Sequence, residues 1–522
     1  MHRLVVALVT LIGLTGAAFV AAYLFLFSAS TDRAATLAPA QTAAYVNVYL
    51  QPSTGQQMNL SGLIGRLPGF ADEASLDEKV DQVVQNLLVG SGIDYRQQVK
   101  PWLGNQVAIA LWPGEDPAQA TGAVIAEVKD REAAEASVDE LVAEEGAPVT
   151  TESYGGVELH IGSEGAYAFV GDMLVIGTDE ASLRAVVDVS GDAPSLAEQD
   201  RFRSAMTTLP QDHLASTYLD LAAIADATGT AGQFESFSTA SGVLVAERDG
   251  LRFSGSAPYD IAEAAPSARD RFALGSEPSS LVDWMPEGTL AEVVIFGLGQ
   301  TLADAEAAAA TTPEGQELAS ALDTVRAIAA FGLGIDIDAD VLPLLDREVA
   351  IAVGGFEGIP SGQLLLRPED ADEARAALGR VVERLEAIGA SSSRDEVDGV
   401  EIVVVTVPDI GEVAYAVVDG IVIMGMGRDD VTAAIEAHRT GTSLGASATY
   451  RQTFELAGAR AGTELWADVE ALVDVLDAAG ELPDDARDIL LQIGTIGLTM
   501  PTRDDQIEFH VVVTVEPAGS AE

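Results

Sequence analysis

The chain has 522 residues, a length that predicts two to four domains with room for sizeable cores. Its net charge is −54, from 82 acidic and 28 basic residues, so its surface repels nucleic acid and anionic lipid. The absence of cysteine excludes disulfides, thiolate metal sites and a cysteine nucleophile. Apolar residues make up 48% of the chain but aromatic ones only 6%, so cores rich in Ala, Val, Leu and Ile are expected.

The strong acidity has two explanations. It is typical of a protein that binds cations or a basic partner, and it is also typical of a solvating surface suited to high salt. Because the acidic residues are dispersed and do not form blocks, the second explanation is favoured.

The N-terminal segment predicts a membrane anchor. Leu4–Phe27 contains 24 residues without a charged side chain, enough to cross a hydrocarbon core of about 30 Å as a helix. A cleavable signal peptide has a shorter apolar centre of about 7–15 residues, although Ser28-Ala29-Ser30 leaves cleavage open. The leader, residues 1–3, carries Arg3 and is expected to stay in the cytoplasm, with the rest of the chain outside.

Beyond the anchor, the sequence contains an internal repeat. Gly92–Ala110 reads GIDYRQQVKPWLGNQVAIA and Gly334–Ala352 reads GIDIDADVLPLLDREVAIA, with ten of 19 positions identical. Self-similarity of this kind indicates a duplicated architecture. The predicted divisions are a tether at 28–38, a first repeat at 39–258, a linker at 259–283, a second repeat at 284–516 and a tail at 517–522.

Each repeat is predicted to open with a strand, Ala43–Leu50 in the first and Ala291–Phe296 in the second. In the first strand, polar or aromatic residues at 45, 47 and 49 alternate with aliphatic residues at 46, 48 and 50, the period of a sheet with two different faces. A helical stretch then follows in each repeat, Leu76–Leu88 and Thr301–Ala330.

The repeated Gly-Ile-Asp segment comes next. Asp94 and Asp336 are placed as N-caps of a short helix, and Pro101 and Pro343 are expected to stop it. The elements predicted after this segment match between the repeats. The strands are Asn105–Trp112 and Gly122–Val128 in the first repeat, and Glu348–Gly354 and Gly362–Leu366 in the second. An amphipathic helix follows in each, with Ala134, Val138, Leu141 and Val142 or with Leu378, Val381, Val382 and Leu385, and then a hairpin that turns at Gly171-Asp172 or Asp419-Gly420.

This order of elements predicts an α+β fold: an N-terminal transmembrane helix, then two tandem homologous α+β domains with mainly antiparallel sheets and helices on one face. Three segments of the first repeat also resemble one known family. They are the opening PAQTAAYVNV at 39–48, the GID…V.PWLG.QVAIA segment and the hairpin YAFVGDMLVIG at 167–177. They are similar to the DUF3352 proteins, uncharacterised bacterial proteins tethered to the membrane and lying outside the cytoplasm. The resemblance spans nearly all of residues 37–515 and carries over no activity, cofactor or catalytic residue.

No constellation of side chains predicts a chemistry. The five histidines, His2, His160, His213, His438 and His510, show no metal-ligand spacing and have no counterparts in the other repeat. Asp336, Asp338 and Asp340 form the D-x-D-x-D that opens a calcium loop, but the glycine and glutamate that such a loop needs are absent, so a helix cap is favoured. We therefore predict no catalytic, cofactor-binding or metal site.

The function expected from the sequence is that of a non-enzymatic, membrane-anchored binding or scaffolding protein of unknown ligand. It would contact the membrane through residues 4–27, bind no nucleic acid and bind either a protein or a lipid. The alternatives are a lipid carrier, a regulator that acts through a partner, and an extracytoplasmic hydrolase with a dispersed active site. For the hydrolase, His160, His213, Asp338 and Asp340 are the first candidates. Trp102, which the second repeat replaces with Leu344, is a candidate contact residue.

Overall fold

The computed structural model describes residues 32–51, 53–66, 78, 81, 85, 93–114, 120–145, 148–162, 165–228, 236–264, 266–309, 320, 322–324, 326–333, 335–356, 360–408, 411–478, 487, 490–503 and 505–515. The chain divides into two compact units. The first contains Met1–Glu263, Asp505–Phe509 and Val513–Glu522, and the second contains Ala264–Asp504 and His510–Val512.

The described strands are β1 Ala44–Tyr49, β2 Leu103–Pro113, β3 Ala120–Val128, β4 Thr150–Tyr154, β5 Val157–Ile161, β6 Ala166–Val170, β7 Met173–Gly177, β8 Ala215–Asp220, β9 Thr239–Ala246, β10 Gly250–Pro258, β11 Ala291–Phe296, β12 Glu348–Phe356, β13 Pro360–Arg367, β14 Ser391–Val397, β15 Val400–Val407, β16 Gly411–Val418, β17 Ile421–Gly425, β18 Thr463–Asp468, β19 Ile493–Met500, β20 Thr502–Arg503 and β21 Gln506–Val515.

The described α-helices are α1 Thr54–Ile64, α2 Arg131–Glu145, α3 Glu180–Ser190, α4 Asp200–Thr207, α5 Leu221–Thr228, α6 Pro266–Leu274, α7 Leu298–Ala309, α8 Ala371–Ala387, α9 Arg428–Thr440, α10 Ala448–Ala457 and α11 Val469–Ala478. Short π-helical turns lie at Tyr95–Val99, Ala329–Leu333 and Ile337–Val341, and 3₁₀ turns at Leu196–Glu198, Leu281–Trp284, Leu342–Leu345 and Leu444–Ala446.

The strands pair in the same spatial order in each unit. In the first the order is β4-β5-β6-β7-β3-β2-β1-β8-β9-β10. In the second it is β14-β15-β16-β17-β13-β12-β11-β18-β19. Every neighbouring pair in these orders is antiparallel, so the prediction of an α+β fold with antiparallel sheets is confirmed.

Helices pack on both faces of each sheet, so the prediction of helices on one face was wrong. Alternate residues of β15 show this. Ile402 and Val404 join a core that includes side chains of α9 and α10, whereas Val403 and Val405 join a different core with side chains of α8. In the first unit α3 and α4 supply one core and α2 another. The sequence pattern identified amphipathic helices but not the face on which each of them packs.

Local signals in the sequence fix the turns as predicted. The β16–β17 hairpin turns at Asp419 and Gly420, whose φ angles are 49° and 81°. A two-residue turn with both φ angles positive matches the twist of the strands that it joins, and Asp-Gly tolerates it. Asp94 caps Tyr95–Val99 by accepting the N–H of Gln97, and Asp336 caps Ile337–Val341 in the same way, so both predicted caps are confirmed.

Both prolines of the repeated segment lie just beyond these turns. Pro101 follows Lys100, the residue that closes the first turn. Pro343 lies within the 3₁₀ turn Leu342–Leu345, at a position where its missing N–H costs no hydrogen bond. Of the predicted helix Leu76–Leu88, only Glu78, Asp81 and Gln85 are among the described residues, and all three are helical.

Part of the stretch assigned to a tether is packed into the first unit. Ala34, Ala35 and Ala38 are buried in its core. The Asp32 carboxylate accepts a hydrogen bond from the Tyr45 hydroxyl at 2.7 Å and one from the Ala35 N–H at 3.0 Å. Within the stretch assigned to a linker, 259–283, the structure places helix α6.

Among the helices that the structure describes, none is long and apolar enough to span a membrane. The predicted anchor, Leu4–Phe27, lies outside the described residues.

Candidate functional site

The D-x-D-x-D segment, the most calcium-like motif of the sequence, is neutralised by arginines. Asp340 is 4% exposed and forms ion pairs with Arg380 at 2.8 Å and with Arg384 at 2.5 Å. Asp338 pairs with Arg326 at 3.1 Å. No group of three or more acidic or histidine side chains within the described ranges is placed to hold a metal ion.

The two arginines set the charge state of Asp340. Burial acts to raise the pKa of its carboxyl, but hydrogen bonds from Arg380 and Arg384 outweigh that effect, so the pKa lies below its usual value. The first unit has a similar cluster, in which the buried carboxylate of Asp81 contacts Lys100 at 2.6 Å and Arg96 at 3.4 Å. In both units a buried carboxylate between two cations therefore fixes the segment around the repeated Gly-Ile-Asp.

His160, His213 and His438 each contact a different residue. His160 stacks on Tyr167 at 4.5 Å between ring centroids, and His438 stacks on Trp284 at 3.8 Å. The His213 Nδ1 lies 2.7 Å from the carbonyl oxygen of Pro210. His510 lies on β21, and His2 is outside the described residues.

His213 has a serine and an aspartate near it, but they do not form a catalytic relay. The Ser53 hydroxyl donates to Asp212 at 3.0 Å and accepts the N–H of Gln56, which makes it the N-cap of α1. Burial lowers the pKa of His213, and its ring is bonded to Pro210 rather than to either neighbour. Each hydrolase candidate named from the sequence thus has its own partners among the described residues.

Trp102, the candidate contact residue, belongs to a core. It is 6% exposed and its indole N–H donates to the Gln98 carbonyl at 2.5 Å. It packs in the cluster that contains Tyr95 and Ala134. Leu344, its counterpart in the second repeat, is also buried, so both repeats use this position for packing.

A buried polar layer lies where the chain enters the first sheet. The Tyr45 hydroxyl donates to Asp32, and the backbone N–H of Arg33 donates to the amide oxygen of Gln106 at 3.3 Å. The Arg33 guanidinium pairs with Glu127 at 3.0 Å. Burial raises the pKa of the Asp32 carboxyl, and the hydrogen bond from Tyr45 opposes that effect. Tyr45 and Gln106, the neutral members, are fully or almost fully buried.

The corresponding layer of the second unit contains three buried glutamates, Glu292, Glu348 and Glu464, each less than 5% exposed. Glu464 accepts hydrogen bonds from the Tyr450 hydroxyl at 2.8 Å and from Arg460 Nε at 3.2 Å. The Ser279 hydroxyl donates to Glu348, which also pairs with Arg367 at 3.3 Å. The layer therefore combines three buried carboxylates with two partly exposed arginines, Arg367 and Arg460.

Glu292 is the exception in this layer. Neither of its carboxylate oxygens has a hydrogen-bond partner within the described ranges. Burial, reinforced by the neighbouring Glu464, raises the pKa of Glu292 well above its usual range, so this side chain holds its proton more tightly than an exposed glutamate does. Displaced pKa values often mark active sites, but Glu292 is only 1% exposed and no described opening leads to it.

One weak signal in the sequence points to this layer. In β11 the residues Ala-Glu-Val-Val-Ile-Phe place Glu292 on the same side as Val294 and Phe296, opposite Val293 and Ile295. An acidic residue in a strand is ordinarily expected on the exposed face. Glu292 instead lies on the face that packs into the core, where Val294 is 0% exposed.

An apolar row lies on the opposite side of the first sheet. Val46 pairs with Ile109, Ile109 with Val124, and Val124 with Ile176 across four adjacent strands. Val46, Ile109 and Ile176 are 40%, 43% and 48% exposed, and Leu111 beside them is 38% exposed. Helix α2 covers another part of this face, around Ala126, Val128 and Leu174, and leaves the row uncovered.

The second sheet repeats the row in a more covered form. Val293 pairs with Ile351, Ile351 with Leu364, and Leu364 with Met424. Ile351 is 42% exposed, whereas Leu364 and Met424 pack against the core next to α8. We call the four residues Val46, Ile109, Val124 and Ile176 the open apolar row. Its members Val46, Ile109 and Ile176 are both apolar and accessible to a partner.

Comparison with known proteins places the chain in a family. No curated protein is similar to it in sequence. Crystal form III of TP0453 aligns at 11% identity and a TM-score of 0.27, covering 48% of this chain and 90% of that chain. Crystal form I aligns at 10% identity and a TM-score of 0.26, covering 46% of this chain and 83% of that chain. These TM-scores are too low to indicate a shared fold. The family model described as "Protein of unknown function (DUF3352)" matches residues 4–515, so the chain belongs to the DUF3352 family.

Proposed function

We propose that this protein is a non-enzymatic binding or scaffolding protein, held outside the cytoplasmic membrane by an anchor at residues 4–27. The observation that carries the proposal is the open apolar row. Exposed aliphatic side chains that adjoin one another across a sheet mark interaction surfaces more often than catalytic ones. The identical strand order of the two units supports the further inference that they are tandem homologous domains, at 39–258 and 284–516.

A protein partner fits the open apolar row better than a lipid does. The row lies on an open sheet face, and a lipid chain needs an enclosed pocket that buries most of its surface. Adjoining apolar side chains on an accessible sheet face resemble the centre of a protein interface. The net charge of −54 also disfavours close approach of an anionic bilayer.

Photo-crosslinking in intact cells tests this proposal. A photoreactive amino acid placed at Ile109 or Ile176 should give a discrete protein adduct, because both side chains are more than 40% exposed and belong to the row. The same substitution at Glu135, exposed on α2, is the matched control and should give no such adduct. Ile109→Asp together with Ile176→Asp should abolish the adduct captured from a third position, Leu111.

The outcomes separate the alternatives. Adducts with lipid alone would favour a lipid carrier and contradict a protein partner. Equal labelling at Glu135 and Ile109 would mean that the row is no more than ordinary surface. The double variant must retain wild-type hydrogen-exchange protection in β2 and β7, because substitutions at exposed positions rarely cost more than about 0.5 kcal/mol.

A further inference from the structure

A small cavity lies on the other side of the first sheet, next to the buried polar layer. Its volume is about 290 Å³, and its polar lining consists of Tyr218, Arg201, Asp220, Gln41, Gln199 and Thr42. That volume is at the lower end of the range for ligand pockets, which begins at about 300 Å³, and it suits a single small molecule. The cavity lies entirely within the first unit.

The buried tyrosine of this cavity lacks a protein partner. Tyr218 is 2% exposed, its ring packs edge-on against Phe202 at 5.1 Å, and its hydroxyl has no hydrogen-bond partner among the residues described. Buried tyrosine hydroxyls ordinarily find a partner. Burial, with the nearby Asp220, raises the pKa of Tyr218 to about 12, so the hydroxyl keeps its proton and is available as a donor.

The second unit has different side chains at most of the corresponding positions. Trp466 stands where the first repeat has Tyr218, and its indole N–H donates to the Thr453 hydroxyl at 3.2 Å. Ser447, Thr449 and Gly288 stand where the first repeat has Gln199, Arg201 and Gln41. The aspartate is shared, since Asp220 and Asp468 each accept the N–H of the residue three positions later. Of the polar residues that line the cavity, Asp220 and Thr42 are shared with the second repeat, as Asp468 and Thr289. Tyr218, Gln41, Gln199 and Arg201 occur only in the first repeat.

The charges of the cavity argue against an ionic ligand. Arg201 Nη1 lies 3.1 Å from the Asp220 carboxylate, so the two charges compensate each other. An additional anion would meet the field of a chain with a net charge of −54. A cation would have to compete with Arg201 for Asp220. The groups that remain are amides, a hydroxyl and the free N–H groups of a paired guanidinium, and together they offer both donors and acceptors.

We propose that this cavity binds a small uncharged polyhydroxylated molecule, of the size of one sugar ring, with the Tyr218 hydroxyl donating to one of its oxygens. Hydroxyl groups both donate and accept, which matches the mixed set supplied by Gln41, Gln199 and the Arg201–Asp220 pair. Leu196 and Ala223 form apolar walls for the carbon-bound face of a ring. This site is separate from the open apolar row, so either proposal can fail alone.

Saturation-transfer NMR on the purified full-length protein in detergent tests the proposal. Glucose, galactose, mannose and N-acetylglucosamine are the probes, and inorganic phosphate is the anionic comparison. At least one sugar should receive saturation, and phosphate should not displace it. Tyr218→Phe should weaken that binding by about 3- to 10-fold, the effect of one lost hydrogen bond. Gln41→Ala, a change at an exposed side chain, should also weaken it.

Tyr167→Phe makes the same chemical change in the same unit outside the cavity and should leave binding unaltered. Because the Tyr218 hydroxyl has no partner among the described residues, Tyr218→Phe should keep the melting temperature of the unliganded protein. Three results would overturn the proposal: no sugar of the panel binds, phosphate binds in preference to the sugars, or Tyr218→Phe and Gln41→Ala both bind sugar as the wild type does.

Discussion

The buried polar layers of the two units occupy the same place in the strand order but are built from different side chains. Where the first repeat has Tyr45 and Gln106, the second has Glu292 and Glu348. At these two strand positions the first layer has neutral groups, with Asp32 as its acid, whereas the second buries carboxylates there and offsets its buried acids with Arg367 and Arg460. The strand order is therefore independent of the charge of the buried side chains. The stability of the second unit should depend more strongly on pH and on each of its two arginines.

The largest effect should come from Arg460→Ala. It removes the guanidinium that pairs with Glu464, a residue 0% exposed, and leaves an uncompensated carboxylate in the core. Breaking a buried pair in this way costs about 3–5 kcal/mol. Denaturant unfolding followed by hydrogen exchange should show the loss in β11, β18 and β19 and not in β1–β3. Arg203→Ala, which removes an exposed pair with Asp200, is the matched control and should cost less than about 1 kcal/mol. A similar small loss for both variants would mean that the second layer is not held by its charges.

Glu292→Gln should remove part of the pH dependence of the second unit. The folded state raises the pKa of Glu292, so the proton is bound more tightly in the folded than in the unfolded chain. The stability that Glu292 contributes to the folded state is fully present below its pKa in the unfolded chain, about 4.3. It is lost as the pH rises from that value through the pKa in the folded chain. In the wild type this group should lower the free energy of unfolding by about 1.4 kcal/mol per pH unit in that window.

Hydrogen exchange at a series of pH values measures this slope in each unit separately. The variant should have a shallower slope in the second unit and an unchanged slope in the first, which serves as the internal control. Identical slopes in wild type and variant would show that Glu292 is not protonated in the folded state.

Asp340→Asn and Asp81→Asn should have smaller, similar effects in their respective units. Each removes the carboxylate that two cations contact. Because the arginines that contact Asp340 are 45% and 36% exposed and can be rehydrated, the cost should be only about 1–2 kcal/mol. Asp338→Asn, at a side chain 59% exposed, is the control and should cost less. Millimolar calcium should not shift the melting temperature of the wild type; a shift that Asp340→Asn abolishes would restore the calcium interpretation.

Much of the fold follows from local signals. The strand Ala291–Phe296, the Asp419-Gly420 hairpin and the caps at Asp94 and Asp336 were all predictable, because each depends on neighbouring residues along the chain. The faces were not. Alternation in β1 separates two sides, but Tyr45 is 1% exposed and Val46 40%, the reverse of what polarity suggests. Which side becomes the core depends on helices distant in sequence, and so does the place of the cavity at Tyr218.

The packing of residues 32–38 has a consequence for reach. With Asp32 held by Tyr45, only residues 28–31 separate the predicted anchor from the first folded unit. Four extended residues span about 14 Å at most, at about 3.3–3.6 Å each. For a chain anchored through Leu4–Phe27, this short linker would hold the first unit close to the bilayer surface. Its partners would then have to come to the membrane, because the first unit could not extend far from it.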